Sequence, residues 1–388
     1  MRSVIVNLNG IRPPITGIGR YAIELLRCAQ HTTPPITAAY GNELLTGKAL
    51  SELLDQFEQP NTKSKQSWRN AVGMIPLSRR IYRYQTARQF TKLARPAIKS
   101  GALFHDINYS SNTQTRADLV TVYDVSNKTC AETHPHHRVK FLNDYFADLA
   151  ASTSHIVAIS QSVKSELVEF YGIGEHRIGV THLAADATFY PRTETDCEQI
   201  LSNHGLRYKS YLLCVGTREP RKNLAGILQA YESLDAAVHA EYPLVIAGAT
   251  GWKNNAIEQQ INRLKQRALV IDIGFVSQQH LPILYAAAKA FVYPSLYEGF
   301  GLPLLEAMQS GCPCITSNYG ALAEVSQQHA LEVDPTNTND IANSLNRLLV
   351  DHEQNNQYGL KGIERAKDFN WTNTHANTLK LYDELSTI

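Results

Sequence analysis

The sequence of 388 residues lacks a charge surplus, a cysteine pattern and a long apolar run, and each absence removes a class of function. Lys and Arg number 37 against 36 Asp and Glu, so the chain has no global pull on nucleic acid, and no nucleic-acid partner is expected. The six cysteines, at 28, 130, 197, 214, 312 and 314, show neither Cys-x-x-Cys spacing nor a disulfide-like array. Cys214, Cys312 and Cys314 lie in apolar runs and read as small buried residues in a reducing compartment. No stretch approaches the roughly 18 apolar residues of a membrane span. Met1-Arg-Ser-Val-Ile-Val-Asn-Leu reads as a strand rather than a secretion signal. A cytoplasmic protein, at most peripheral at the inner face of the cytoplasmic membrane, is expected. No Asp-x-Asp stands at a strand end, and Glu132-Thr-His-Pro-His-His137 crowds its histidines around a proline, a poor arrangement for zinc. Neither metal nor cofactor is therefore expected.

One absence is local. Between Gln59 and His105 there is no acidic residue, yet Lys63, Lys65, Arg69, Arg79, Arg80, Arg83, Arg88, Lys92, Arg95 and Lys99 all fall there. Ile75, Leu77, Ile81, Tyr82, Phe90 and Leu93 are interspersed, which makes a basic amphipathic stretch. Two readings stand: residues 63–99 meet an anionic membrane surface or a lipid-diphosphate-linked acceptor, or they form a solvated helix whose stems cover the first domain.

What is present is an alternation of strands and helices from end to end, the signature of α/β folding around parallel sheets. The length suits two domains. Residues 1–190 are expected as the first, 191–208 as a polar linker and 209–371 as the second. The first carries strands over 3–8, 117–123, 155–159 and 177–182. The second restarts with the apolar run Tyr211-Leu-Leu-Cys-Val-Gly216.

The most informative run is Tyr293-Pro-Ser-Leu-Tyr-Glu298-Gly-Phe-Gly301-Leu-Pro-Leu-Leu-Glu306-Ala-Met-Gln-Ser-Gly311. An apolar strand enters it, glycines bracket Phe300, Pro303 suits a first helical turn and Gly311 a helix end. Backbone N–H groups around Gly299, Phe300 and Gly301 then face outward at a helix N-terminus, which receives phosphate well. Glu298 stands before the turn and Glu306 one helical turn inside, so hydroxyls on both sides of a phosphate find acceptors. A nucleotide sugar has that shape. Upstream, Gly216-Thr-Arg-Glu-Pro-Arg-Lys-Asn223 follows a buried strand and loads a turn with cations; Asn223 is expected to cap the next helix. Lys222, with Arg221 or Arg218, suits a diphosphate.

With its Pro-Ser, Gly-Phe-Gly and Leu-Pro context, the Glu298/Glu306 pair resembles the paired-glutamate signature of retaining glycosyltransferases of family 4, whose fold is GT-B: two Rossmann-like domains facing across a cleft. The resemblance implies a discontinuous first domain, with 372–388 packing back on it. It implies roles as well. Glu298 would accept from the transferred hexose and Glu306 from the ribose, while Lys222 and Arg221 stabilise the departing diphosphate. Thr217 stands where some relatives carry arginine. Main-chain groups of Phe275 and Val276 would pair with the base, or their side chains simply pack. Gly17 and Gly19, in Pro13-Pro-Ile-Thr-Gly-Ile-Gly-Arg-Tyr21, resemble the family's glycine loop, with Thr16 where a glycine is common. Tyr123-Asp124 stands where many relatives carry His-Asp, so Tyr123 or Asp124 would position the reacting sugar; His105 either borders the acceptor or is structural. Ser160-Gln-Ser162 resembles the family's helix entry. The implied reaction moves a hexose, best mannose from GDP-mannose, to a glycan or lipid-linked glycan of a surface polysaccharide. A non-catalytic nucleotide-sugar-binding protein and a GT-B epimerase are the alternatives; a phosphorylase lacks its pyridoxal-lysine motif.

Overall fold

The computed structural model describes residues 2–11, 15, 17–29, 32, 35–58, 76–108, 115–251 and 255–387, with 76–84 as backbone alone. Thr16, Pro13, Pro14 and the basic residues from Lys63 to Arg69 lie outside the described residues.

Two sheets organise the described chain. The first holds β1 (Val4–Asn7), β2 (Ile36–Tyr40), β3 (Glu43–Leu45), β4 (Leu103–Asp106), β5 (Leu119–Val122), β6 (His155–Ala158) and β7 (Ile178–Val180). Their order is β3-β2-β1-β4-β5-β6-β7, parallel except for β3. The second holds β8 (Leu212–Val215), β9 (Leu244–Ala247), β10 (Val270–Gly274), β11 (Ala290–Tyr293), β12 (Cys314–Ser317) and β13 (Leu331–Val333). It is parallel throughout, in the order β10-β9-β8-β11-β12-β13. Central strands such as β1, β9 and β11 are buried at every position, as parallel strands covered on both faces must be. In each sheet the strand order reverses beside the first strand, at β1/β4 and β8/β11. At such a switch point the loops leaving the two strands diverge to opposite faces and leave a crevice above the strand ends.

The segment 191–208, read as linker, contains a helix, Glu194–Asn203. Thr193 and Asp196 form a reciprocal capping box, and Cys197 and Leu201, one helical turn apart, are its buried residues. It packs against helix Leu281–Ala287 of the second half. The last helix, Trp371–Thr387, lies on helix Gly17–Cys28 of the first half. Its Tyr382 hydroxyl meets His105 Nδ1 at 2.7 Å, and Arg2 N–H donates to Ser386 Oγ at 2.9 Å.

Candidate active site

β8 and β11 run side by side, with Leu213 opposite Phe291, so the loops that leave them, 216–223 and 294–301, rise together at the switch point. Several bonds join these loops. Leu296 N–H donates to Arg221 O (2.8 Å), and Asn223 Nδ2 donates to Pro294 O (3.0 Å) and Pro335 O (2.6 Å). Asn223 therefore does not act as the expected side-chain cap: its left-handed backbone (φ 57°) turns the amide toward the neighbouring loop. Gly216 has φ 145°, and a side chain there would meet the Lys222 stem at 3.7 Å. Gly216, Thr217 and Lys222 line a pocket with Ile246 of β9 and Val292 and Tyr293 of β11.

Four side chains meet in that crevice. The Glu298 carboxylate accepts from Lys222 Nζ (2.5 Å), Arg221 Nη1 (2.8 Å) and Tyr293 Oη (2.8 Å), and Lys222 also donates to Tyr293 Oη (2.5 Å). Burial alone would raise the Glu298 pKa, but Lys222 and Arg221 outweigh it and hold the group near 2. Glu298 is thus a fixed carboxylate, an acceptor only. Burial lowers the Lys222 pKa, opposed chiefly by Glu298. For Arg221, Glu298 and Glu219 overcome burial and raise it. Arg221 Nε also pairs with the buried Glu219 at 3.0 Å, so two cations and two carboxylates interlock beside the donor loop. Among the described residues no acceptor meets the backbone N–H groups of Gly299, Phe300 and Gly301. Gly301 (φ 105°) opens helix Leu302–Gln309, with Pro303 in its first turn. The Phe300 side chain is buried, edge-on to Phe369 at 5.7 Å, so only its backbone faces the crevice.

The first domain closes over this loop. A Cβ on Gly299 would lie 1.8 Å from Tyr123 O and 3.1 Å from Asp124 Cβ, so a glycine is required where the two chains touch. Gly17 faces the Leu302 side chain, at 3.8 Å from a Cβ there, and buried Gly19 packs on Ile15. Asp124 Oδ1 accepts from Ser126 N–H (3.2 Å) and Oγ (2.7 Å), which fixes the carboxylate beside Gly299. Tyr123 departs from the expected role, because its buried hydroxyl donates to Ile107 O at 2.7 Å. His105 is structural: it is fully buried between Tyr382 and Thr121 Oγ1 (2.8 Å), and burial pushes its pKa down to about 3.

Glu306, on helix Leu302–Gln309, is partly buried beside Tyr285; burial raises its pKa to about 8, with Arg20 and Asp186 close by. Phe275, just past β10, is 68% exposed, while Val276 packs against the core. Arg218 corrects the sequence reading. Its Nη1 bonds both Glu258 oxygens (3.1 and 2.8 Å) and its Nη2 bonds Asp272, so the guanidinium braces the second domain and is not offered to a phosphate. Arg218→Met should therefore lower the stability by about 3 kcal/mol, since it removes the guanidinium that Glu258 and Asp272 share. A lower urea midpoint, with donor affinity of the folded protein retained, is the expected result. Sequence reasoning missed the roles of the Tyr293 and Tyr297 hydroxyls, which bond Glu298 and Glu166. The His134 ring meets Ser126 Oγ at 2.9 Å, and the described residues contain no group of three or more potential metal ligands.

Comparisons with known proteins bear on the family and the fold. Residues 198–365 match the family described as glycosyl transferases group 1. The chain is 31% identical to O-antigen chain mannosyltransferase B of Escherichia coli over 98% of its own length and 99% of that protein's. It is 30% identical over 226 residues to the serotype-specific mannosyltransferase WbdA of Escherichia coli, spanning 56% of this chain and 27% of that one. Its fold superposes on sucrose-phosphate synthase of Thermosynechococcus elongatus with a TM-score of 0.73 at 18% identity, over 99% of both chains. A relative at that identity along the whole chain, together with a paired-glutamate turn at the switch point of a second Rossmann-like domain, places this protein among the group 1 glycosyltransferases, as an enzyme of GT-B architecture.

Proposed function

We propose that the enzyme moves mannose, with retention of anomeric configuration, from GDP-mannose to a glycan or lipid-diphosphate-linked glycan in surface-polysaccharide assembly. The observation that carries this reading is the Lys222–Arg221–Glu298 cluster beside the unpaired N–H groups of Gly299 to Gly301. Fixed cations and preorganised donors suit a leaving diphosphate, whose charge grows as the glycosidic bond breaks. Glu298, held ionised, serves as an acceptor for hexose hydroxyls and neither gives nor takes a proton. The departing phosphate then helps deprotonate the acceptor on the same face, and the protein contributes position and electrostatics. Asp124, fixed beside Gly299, orients the sugar from the acceptor side. The ribose diol falls to Glu306, and main-chain groups at Phe275 and Val276 border the base. Mannose and the surface-glycan setting draw support from the names of the Escherichia coli relatives.

Calorimetry with GDP, UDP, ADP and their hexose conjugates tests the donor. GDP-mannose should bind best, and Glu306→Ala should weaken it. A diol prefers a charged acceptor, so affinity should rise between pH 6.5 and 9 as the Glu306 proton, held to about 8, is lost. Tighter binding of UDP-sugars would leave the site standing and replace the donor; no binding by any nucleotide would overturn the reading.

The membrane part of the proposal rests on helix Pro76–Lys99. Ala87, Phe90 and Ala94 are buried there, Phe90 against Phe104 at 4.6 Å, while Arg88, Lys92, Arg95 and Lys99 are exposed at helical spacing. Each cation near an anionic leaflet contributes roughly 1 kcal/mol. Changing all four to Gln should weaken binding to phosphatidylglycerol-containing vesicles on the order of 10²-fold or more. Equal sedimentation of wild type and variant with such vesicles would assign the stripe to solvation alone.

A further inference from the structure

The donor loop belongs to the second domain, yet hydrogen bonds from the first hold it on both sides of Glu298. Tyr297 Oη accepts from Val125 N–H at 2.8 Å and donates to the Glu166 carboxylate at 2.7 Å. Ser160 Oγ donates to Gly299 O at 2.7 Å. Val125 follows Asp124, and Ser160 and Glu166 belong to the start and middle of helix Gln161–Tyr171, where Ser160 also caps Val163 N–H at 3.1 Å. Tyr297 and Ser160 are buried, so these bonds do not compete with water. The second domain supplies the side chains that grip the loop from beneath: Arg221 Nη1 reaches Tyr297 O at 3.2 Å, besides Glu298. The residues on either side of Glu298 are therefore held from above, at the Tyr297 hydroxyl and the Gly299 carbonyl, by groups that the donor domain lacks.

We propose that Tyr297, Glu166 and Ser160 are positioning residues, through which the acceptor-side domain sets the Tyr297–Gly299 segment so that the donor loop is competent only while the two domains are docked. The inference rests on the donor site proposed above. A phenylalanine at 297 would fill the same space and retain the packing, which separates the role of the hydroxyl from that of the ring. Glutamine at 166 keeps an acceptor for the tyrosine and serves as the conservative control. Ser160→Ala removes a helix cap as well and is informative only beside a melting curve.

Orientation of the loop is realised in the transition state, so the loss should fall on kcat. Tyr297→Phe, which removes both bonds of the hydroxyl, should lower kcat for GDP-mannose turnover by about tenfold or more, with donor KM within about threefold. Glu166→Gln should lose less than Tyr297→Phe. A second readout needs no donor: amides of 297–301 in the ligand-free protein should exchange hydrogen faster in Tyr297→Phe, with the β8 and β11 amides unchanged. Wild-type protein that binds no nucleoside diphosphate would remove the donor site while the exchange experiment still tests the clasp. Wild-type exchange over 297–301 together with an undiminished kcat, or a loss confined to KM, would overturn the clasp.

Discussion

Replacing Lys222 with methionine is expected to cut turnover by ~10²–10³ while the protein folds normally, by analogy with deletion of one oxyanion-hole donor. The argument starts from where the ammonium sits. Lys222 closes the loop that leaves β8, and its Nζ bonds both Glu298, next to Gly299 in the donor loop, and the Tyr293 hydroxyl. A leaving diphosphate gains most of its charge in the transition state, so a fixed cation there stabilises that state more than bound donor. Methionine keeps the stem volume and removes the charge. Glu298 would retain Arg221 and Tyr293, so no buried anion is left bare and the melting temperature should stay close to wild type. Nucleotide affinity should fall much less than kcat. Burial lowers the Lys222 pKa, so the alkaline limb of the pH–rate profile should lie below the ordinary lysine value and vanish in the variant.

The reciprocal substitution carries the larger cost in stability. Glu298→Ala leaves Lys222 and Arg221 facing each other without their shared anion, and removal of one partner from a buried ion cluster costs about 3–5 kcal/mol. Linkage gives a sign to the pH dependence. The Glu298 pKa is near 2 in the folded protein, below its ordinary value of 4.5. Its contribution is therefore fully present above that ordinary value and is lost as pH falls through the folded value. On that basis the wild type should exceed Glu298→Ala by about 3 kcal/mol at neutral pH. The difference should shrink steadily below pH 4 in urea titrations. A constant gap from pH 7 down to pH 3 would mean that Glu298 is not the ionised centre of this cluster.

Much of this arrangement is legible in the chain because local signals agree with one another. The apolar run into Tyr293, the glycines around Phe300 and Pro303 at the helix start all specify one strand–turn–helix, and the structure has it. The strands of the second half alternate with helices at spacings that leave little freedom, and the parallel order follows. Where reading failed, the deciding partner lay far along the chain. Nothing in Arg218-Glu-Pro-Arg221-Lys222 distinguishes the two arginines; Glu258 and Asp272, 40 and 54 residues on, claim the first. Asn223 has the residue type of a helix cap, but its left-handed backbone turns the amide away. Tyr123 occupies a position where a polar side chain would meet substrate, and only the pairing of β4 with β5 brings Ile107 O within reach of its hydroxyl. β2 was missed because Ile36-Thr-Ala-Ala-Tyr40 has small residues in place of a strong β pattern. Helix Glu194–Asn203 passed for linker because its buried side is so narrow.

Incubating the purified protein with GDP-[14C]mannose and lipid-diphosphate-linked oligosaccharides, and counting mannose in the lipid fraction, tests the central claim most directly. Label should enter the glycan as an α-mannoside in step with GDP release, and Lys222→Met should reduce it by ~10² or more. Tight GDP-mannose binding with no transfer to any acceptor, or transfer that survives loss of Lys222, would contradict the assignment of this crevice as the catalytic centre.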